Sequence, residues 1–354
     1  MMRYKLLGKT GLQVSELCLG TITFGEDWDF GASLQEAKQI FTLFCDKGGN
    51  FIDTANMYTD GTSEKFVGEF IDAERDYFIL STKYSLNTRP NDPNGGGNHR
   101  KNMNRSLENS LKRLKTDYID VYWLHIWDFL TPVEEIMRGL EDLVRSGKVL
   151  YIGVSDTPAW VISQANMLAE LRGWAAFIGL QIEYNLIERT AERDLLPMAR
   201  SLGLGVTAWA PLAGGVLTGK YVKKGTDLEI VDSKRGDWLN SERLHEKSFL
   251  IVDALAKVAT ELDCSIAQVA LNWIRQQPGG IIPIIAGRTR EQIRENLDCL
   301  EFRIEPEQMS YLNEVSKIDL GFPHEFLASE PLQNALFGDQ RALLDTRPRQ
   351  IQEN

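Results

Sequence analysis

Eight short apolar runs recur along the chain, and each is followed by a more polar segment with helical periodicity. The runs are 17–20, 50–55, 77–83, 118–125, 149–155, 177–184, 205–210 and 281–287. Several are almost continuously apolar, which is typical of parallel strands covered on both faces, and all are too short for core helices. Eight strands in strict alternation with helices predict an α/β fold, a closed (β/α)₈ TIM barrel. An open doubly wound sheet is the alternative, because it requires no particular strand count.

The segments between the runs carry helix signals. Residues 34–47 place apolar side chains on one face and end at Gly48-Gly49, and residues 132–146 begin with a proline and end at Gly147. Residues 243–262 and 290–297 have similar patterns. Residues 4–16 centre on a glycine-bearing turn, which predicts an N-terminal β-hairpin before the first barrel strand.

Two connections are unusually long. Residues 84–99 and 213–242 are rich in glycine or proline, and both follow predicted strands. Long loops in compact domains usually have a function, and loops after barrel strands lie at the C-terminal mouth, where sites are built. The tail after about residue 320 has no strand pattern. Its apolar residues, including Phe322 and Phe326, suggest packing over the barrel. We expect one domain over residues 1–354.

Composition limits the partners and the compartment. The net charge of −11 argues against general binding to nucleic acid or to an anionic membrane. The four cysteines are far apart, so the spacing predicts neither a zinc site nor a redox dithiol, and isolated thiols fit a reducing compartment. The N-terminus lacks the apolar run of a signal peptide, and no stretch is long enough for a membrane span. We therefore expect a cytoplasmic protein.

Four polar residues lie at or just after predicted strand ends: Asp53, Tyr58, Lys83 and His125. A barrel brings such ends together around one mouth. The ammonium of Lys83 would favour the phenolate of Tyr58 and lower its pKa from about 10. Asp53 would keep Lys83 charged, and His125 would bond a substrate oxygen or Tyr58. Taken singly, Asp53, Tyr58 and Lys83 are better explained as a turn cap, a half-buried surface aromatic and a solvated strand end, and only the joint arrangement favours a catalytic site.

Together these residues resemble the catalytic tetrad motifs of the aldo-keto reductases. The motif residues are Asp53 and Tyr58 in FIDTANMY, Lys83 in STK and His125 in LH. Further motifs recur in order over about residues 3–300: GKTGL with LGT, Gly61-x-Ser63-Glu64, GVS at 153–155, Gln181-x2-Tyr184-Asn185 and APLAGG at 210–215. The LHIWD and SDTPAW stretches resemble the aryl-alcohol dehydrogenase and bacterial or fungal branches.

The resemblance implies an NADP(H)-binding barrel with Tyr58 as general acid/base, Lys83 and Asp53 as its tuning pair and His125 as the carbonyl-orienting residue. It also implies a set of cofactor-binding residues: Gly20, Thr21, Asp53, Ser155, Asp156, Gln181, Trp209, Ala210, Pro211, Leu212, Gly214, Lys220, Gly287, Arg288, Gln292, Glu295 and Asn296. Within this set Ser155, residue 156 and Gln181 would hold the nicotinamide carboxamide, and the aromatic Trp209 would stack on the ring. Lys220 would close over the pyrophosphate.

An anion site is indicated by a second observation. Residues 286–289 lie between the last strand and a helix, where backbone N–H groups and the helix dipole favour an anion. Arg288 adds a permanently charged, planar donor suited to phosphate. The resemblance implies that the 2′-phosphate lies at Arg288 and the adenine near Glu295 and Asn296. The chain departs from the family pattern at three places: Asp156 stands in place of the usual Asn, Ala210 in place of Ser, and Ala286-Gly287 reverses the commoner order. Gly203 to Ala208 match GxGxxA but would follow a helix and open a strand, which is the reverse of a dinucleotide fingerprint.

Two functions are consistent with these residues. The first is an NADPH-dependent reductase of aldehydes or ketones, reversible toward alcohols and without a metal, in which aromatic residues after barrel strands form the substrate wall. These are Trp28, Phe30, Tyr84, Trp127 and Phe129. The second is a nucleotide-sensing subunit on the same barrel with little turnover. The complete tetrad favours the enzyme. A homo-oligomer is compatible with either function.

Overall fold

A computed structural model describes residues 1–224, 227–230 and 243–344. Eight parallel strands close into a barrel: β3 (Cys18–Gly20), β4 (Phe51–Asp53), β5 (Ile79–Tyr84), β6 (Ile119–Leu124), β7 (Val149–Ser155), β8 (Phe177–Glu183), β9 (Gly205–Trp209) and β12 (Ile282–Ile285). Their order around the barrel is β12-β3-β4-β5-β6-β7-β8-β9. Each lies within a run predicted from sequence or extends one residue beyond it. The predicted closed barrel is confirmed, and the open sheet is excluded.

Helices follow the barrel strands. They are α1 (Leu34–Asp46), α2 (Thr62–Ile71), α3 (Arg100–Leu114), α4 (Val133–Arg145), α5 (Ala159–Arg172), α6 (Leu195–Leu202), α7 (Glu246–Glu261), α8 (Ile266–Arg275), α9 (Arg290–Leu297), α10 (Pro306–Ser316), α11 (His324–Ala328) and α12 (Glu330–Phe337). Local capping explains several starts: the hydroxyls of Ser33, Ser265 and Thr289 each accept a hydrogen bond from an N–H in the first turn. No helix of the described residues is long and apolar enough to cross a membrane.

The predicted N-terminal hairpin is formed by β1 (Tyr4–Leu6) and β2 (Gln13–Ser15) and closes the bottom of the barrel. At its turn, Gly8 has a φ of +61°, and a Cβ there would lie 2.4 Å from the carbonyl oxygen of Ile178 at the start of β8. The adjacent Leu7 is fully buried among inward-facing residues of the barrel, such as Phe51 and Trp123. The barrel is therefore sealed at the N-terminal ends of its strands.

The indole of Trp123 fills the barrel interior above this floor. Its side chain is fully buried, and it fits because two neighbouring strands carry glycine at the facing positions. A Cβ on Gly153 would lie 2.2 Å from the Trp123 ring, and one on Gly179 would lie 2.8 Å from it. His125 follows two residues later on the same face, so the ring supports the base of the mouth.

Both long connections follow barrel strands, as the sequence predicts, but the second contains regular secondary structure that was not predicted. Residues 84–99 are fixed to the next loop, since the Asn98 N–H donates to Asp128 Oδ2 at 2.8 Å and the Asp128 N–H donates to Asn98 Oδ1 at 2.9 Å. Within 213–242 the chain forms a 3₁₀ helix (Ala213–Thr218) and a hairpin of β10 (Tyr221–Lys224) with β11 (Asp227–Ile230). Residues 225–226 and 231–242 of this connection lie outside the described residues.

The tail forms α11 and α12 rather than an extended cover. Phe322 is 84% exposed and Phe326 is 55% exposed, so the expectation that these residues pack over the barrel is wrong.

The GxGxxA match at residues 203–208 also has a structural explanation. Gly203 ends α6 with a φ of +68°, and the segment then enters β9, as the sequence order indicated.

Candidate active site

The four tetrad residues meet at the C-terminal mouth of the barrel. Lys83 is fully buried at the end of β5, and its ammonium is the centre of the group. It donates to the Tyr58 hydroxyl at 3.2 Å, to the Thr54 carbonyl at 2.8 Å and to the Asp53 carboxylate. The rings of Tyr58 and His125 lie edge to face, with centroids 5.9 Å apart. The structure therefore brings together four side chains that the sequence separates by up to 72 positions.

Asp53 is held on its second oxygen as well. Asp53 Oδ1 accepts from the Ser81 hydroxyl at 2.7 Å and from Gln181 Nε2 at 3.1 Å. Gln181 lies on β8, so this bond crosses the barrel interior from β4. It links a residue expected at the nicotinamide to the tetrad, and it leaves Asp53 little freedom to move.

Burial controls the protonation of the site. It raises the pKa of Tyr58, and this effect outweighs the opposing effect of Lys83, so the expectation of a lowered phenol pKa is wrong for the protein alone. Burial alone would lower the pKa of Lys83, but Asp53 and Tyr58 together raise it. Burial, reinforced by Lys83, holds the pKa of His125 well below its usual range. At neutral pH the site contains a phenol, an ammonium and a neutral imidazole.

The turn after Tyr58 has an uncommon backbone. Thr59, Asp60 and Gly61 have φ values of 46°, 53° and 90°, although a β-branched residue rarely adopts this region. The Thr59 hydroxyl stabilises the turn, since it donates to the Phe24 carbonyl at 2.6 Å and accepts from the Ser63 N–H at 3.0 Å. Sequence reasoning missed Thr59, because only the glycine at position 61 signals a left-handed turn.

Ser155, Asp156 and Trp209 lie at the ends of β7 and β9. The Trp209 indole donates to Asp156 Oδ1 at 3.0 Å, which fixes the ring at the mouth. Asp156 has exposed surface as a residue, but the surrounding protein partly removes its carboxyl from water. This desolvation raises the pKa of the carboxyl to about 6, and it outweighs the lowering effects of Trp209 and Lys83. The carboxylate at this position thus has a partner within the protein.

Several buried polar atoms of the described residues face the barrel interior without a hydrogen-bond partner. Among the described residues, seven buried side-chain nitrogen or oxygen atoms have no hydrogen-bond partner. Four of them belong to Trp123, His125, Ser155 and Thr207, which face inward from β6, β7 and β9 or follow directly. Trp123 and Thr207 lie deeper in the barrel, whereas His125 and Ser155 lie at the strand ends. Buried polar groups are normally paired, so His125 and Ser155 fit a polar ligand at the mouth. Thr207 was not identified from sequence; its position two residues before Trp209 was the available signal.

The opening motif residues Gly20 and Thr21 are buried at the end of β3. The Thr21 N–H and hydroxyl both donate to the Asp53 carbonyl at 3.0 Å, and the Thr21 carbonyl accepts from the Phe24 N–H at 2.9 Å. Thr21 is therefore bonded within the protein and supports the strand that carries Asp53.

The stretch after β9 lies at the mouth and turns back sharply. Ala210 and Gly214 have φ values of 46° and 67°, and the residues Pro211 and Leu212 lie between them. Lys220 crosses over this stretch, where a Cβ on Gly215 would lie 2.9 Å from its Nζ.

The predicted phosphate end is formed by the turn from β12 into α9. The Arg288 N–H donates to Gln292 Oε1 at 2.7 Å. The Arg288 side chain is half-buried, and among the described residues its guanidinium forms no ion pair with a carboxylate. Gly287 is buried, and its carbonyl accepts from Thr23. Asn296 is 5% exposed and its amide donates to the Ala286 carbonyl at 3.3 Å, whereas the Glu295 side chain is exposed. The turn between β12 and α9 therefore carries a positive charge, on Arg288, that an anion can reach.

The aromatic residues divide into two groups. Trp28 and Phe30 lie beside one another with ring centroids 6.1 Å apart, as do Trp127 and Phe129 at 6.4 Å, and all four are at least partly exposed. Tyr84 does not belong with them. It follows the inward-facing Lys83, so it points outward and stacks on Tyr122 with no exposed surface. The structure thus removes Tyr84 from the predicted substrate wall.

The closed barrel, the N-terminal hairpin and the Tyr–Lys–Asp–His cluster define a known class of oxidoreductase. The chain belongs to the aldo/keto reductase family, whose sequence model matches residues 16–317.

Its relatives include an aryl-alcohol dehydrogenase (NADP+) of Phanerodontia chrysosporium, which is 38% identical over 89% of this chain and 86% of the relative. A putative aryl-alcohol dehydrogenase of Saccharomyces cerevisiae is 35% identical over 93% and 90% of the two chains. A norsolorinic acid reductase of Aspergillus flavus is 37% identical over 93% and 84%. These proteins are similar to this chain over almost its whole length.

Proposed function

We propose that this chain is an NADP(H)-dependent oxidoreductase that interconverts a carbonyl compound and its alcohol, with Tyr58 as general acid/base, in a single domain over residues 1–354. The observation that carries the proposal is the 3.2 Å contact between the Lys83 ammonium and the Tyr58 hydroxyl. This contact supports Tyr58 as the proton donor, because a neighbouring ammonium stabilises the phenolate that proton transfer would leave.

The protein groups have complementary roles in proton transfer. In reduction, Tyr58 gives its proton to the substrate oxygen as negative charge develops there, and the adjacent ammonium of Lys83 stabilises the resulting phenolate. Asp53 keeps Lys83 protonated and in place. His125 is neutral, so it can donate one N–H bond to the substrate oxygen without adding a charge. In oxidation the same groups act in reverse.

The residues present fit NADP(H), which when bound supplies or accepts the hydride. The unpaired hydroxyl of Ser155 and the amide of Gln181 suit a carboxamide, and the fixed indole of Trp209 offers a stacking face. Arg288 offers a permanent charge to a 2′-phosphate. We also assign backbone or side-chain contacts with the cofactor to the rest of the predicted set. They are Gly20, Thr21, Asp53, Asp156, Ala210, Pro211, Leu212, Gly214, Lys220, Gly287, Gln292, Glu295 and Asn296.

The substrate proposed is an aryl alcohol or the corresponding aldehyde. Two relatives are named aryl-alcohol dehydrogenases, and the mouth of this chain carries the paired aromatic rings of Trp28 and Trp127 with their neighbours. Flat aromatic substrates gain contact area from such rings at little entropic cost. A nucleotide-sensing subunit would need no such wall and no complete tetrad, and steady-state turnover separates it from the enzyme.

The substitution Tyr58→Phe tests the proton donor. It removes the phenolic proton and keeps the ring, so we expect kcat for aldehyde reduction to fall by about 10²–10⁴-fold, the usual contribution of general acid catalysis. The dissociation constant for NADPH should stay near the wild-type value. NADPH absorbance measures the first quantity and fluorescence quenching the second.

Tyr84→Phe is the matched control, because it removes the hydroxyl of a tyrosine that lies outside the site. It should leave kcat unchanged. If Tyr58→Phe retains wild-type turnover, Tyr58 is not the acid. A wild-type protein that binds NADPH but reduces no member of a broad panel of aryl aldehydes and ketones would support the sensing alternative instead.

A further inference from the structure

Tyr58 lies in a short segment, residues 54–61, between β4 and α2. This segment is contacted from outside the barrel by side chains of α2 and α3. We infer that the ion pair between the buried Glu64 and the partly exposed Arg113 positions Tyr58 relative to Lys83. This inference rests on the proposed function, because it treats Tyr58 and Lys83 as the reacting pair. Neither Glu64 nor Arg113 contacts the mouth, so both are positioning residues.

Glu64 connects two elements through its two oxygens. Its side chain is fully buried on α2. Oε2 accepts from Arg113 Nε at 2.6 Å, and Oε1 accepts from the Thr82 hydroxyl, also at 2.6 Å. Thr82 immediately precedes Lys83 in β5 and faces outward. The carboxylate therefore holds the strand that carries the ammonium.

Arg113 reaches the other member of the reacting pair. From α3, its Nη2 donates to the carbonyl of Asn56, two residues before Tyr58, at 3.3 Å. Its side chain also covers Gly61, where a Cβ would lie 3.0 Å from Arg113 Cδ. The Asn56 N–H in turn donates to the Lys83 carbonyl at 3.2 Å. The segment is thus bonded to Arg113 at the Asn56 carbonyl and to β5 at the Asn56 N–H, and Glu64 contacts both Arg113 and β5.

The backbone of the segment explains why such fixing is needed. Thr59 and Asp60 adopt left-handed conformations that an isolated chain avoids, and such conformations persist only where surrounding contacts determine them. Without Arg113 over Gly61 and at the Asn56 carbonyl, the turn would relax. The Tyr58 hydroxyl would then move relative to Lys83, and a displacement of about 1 Å is enough to slow catalysis.

The test compares Glu64→Gln with Asp120→Asn. In the first variant the new amide oxygen would still accept from Thr82, but the charge that holds Arg113 would be lost. Asp120 is the matched control, because its carboxylate also forms a buried ion pair, with Arg75 at 2.7 Å, and also bonds β5, through the Leu80 N–H at 3.0 Å. It acts at the opposite end of the strand from Lys83. Both substitutions should lower Tm, since each removes the charge of a buried carboxylate from its ion pair.

Only Glu64→Gln should change the chemistry. We expect kcat to fall by about tenfold or more at a temperature well below Tm, with the NADPH dissociation constant unchanged. The alkaline limb of the pH–rate profile should also move, because the pKa of Tyr58 depends on its contact with Lys83. Asp120→Asn should keep the wild-type kcat and profile.

Thr82→Val covers the case in which Glu64→Gln does not fold. It removes only the hydroxyl that joins β5 to Glu64, and we expect a smaller change in kcat and profile in the same direction. If the variants that fold lower Tm and leave both quantities at wild type, the pair is merely structural and the inference fails. Tyr58→Phe, measured in parallel, reports separately on the proposed function, because its retained activity would refute the acid rather than the positioning.

Discussion

Tyr58 and His125 show how one physical cause, burial, prepares two groups for different tasks. Removal from water disfavours the charged form of each, so the phenol keeps its proton and the imidazole stays neutral, as the raised pKa of Tyr58 and the lowered pKa of His125 indicate. A sequence gives the residue types but not the degree of burial. For this reason the position of Lys83 beside Tyr58 could be predicted, whereas the direction of the net pKa shift could not.

The pH dependence of the reaction follows from these directions. Reduction requires the neutral phenol, and the pKa of Tyr58 is raised, so kcat/KM for an aldehyde with NADPH should stay level through neutral pH and fall only at alkaline pH. Oxidation requires the phenolate and should rise with pH over the same range. Because the pKa of His125 is lowered, its protonation should produce no acid limb near pH 6.5. A midpoint near pH 7 in the reduction profile, about three units below the ordinary phenol pKa, would contradict this assignment.

Cofactor choice is also a property of one residue. Arg288→Ala should weaken NADPH binding by about tenfold to a hundredfold, since a charge-assisted bond to phosphate contributes roughly 1.5–3 kcal/mol, and should leave NADH binding nearly unchanged. Fluorescence titration with both nucleotides measures this. Arg290→Ala is the control, because Arg290 is an exposed neighbour at the start of α9. Equal losses for NADPH and NADH would remove Arg288 from the 2′-phosphate.

At the scale of elements, strand alternation decides which residues enter the site. Lys83 faces inward and Tyr84 outward, and this parity excludes Tyr84 from the mouth although its position after a strand suggested otherwise. The sequence order alone placed both near the strand end. Because side chains alternate along a strand, an inward-facing Lys83 requires an outward-facing Tyr84, and this rule excludes Tyr84 from the substrate wall.

The barrel interior gives a test at the same scale. Gly153→Ala places a methyl group against the Trp123 ring, where the Cβ would lie 2.2 Å away, so we expect a loss of about 1–3 kcal/mol in the free energy of unfolding. Urea denaturation measures this. Gly11→Ala is the control, because nothing lies within 4 Å of its Cβ position. Equal stability of the two variants would mean that the ring has room to move.

For the whole molecule, the repeated runs favoured the barrel but left an open doubly wound sheet as an alternative, and the order of the strands in the structure decides between them. The tetrad followed from that closure and from residue types at strand ends. The contacts outside the barrel did not follow. Nothing in the sequence indicates that Glu64 reaches Thr82 and Arg113, or that the tail leaves Phe322 exposed, because such pairings depend on how helices pack against one another.

The N-terminal hairpin also determines from which side the tetrad can be reached. It closes the barrel at the strand ends opposite Lys83, where Leu7 is fully buried in one cluster with Phe51 and Trp123 and where Gly8 lies against the start of β8. Any molecule that contacts Lys83 and Tyr58 must therefore enter and leave by the C-terminal mouth.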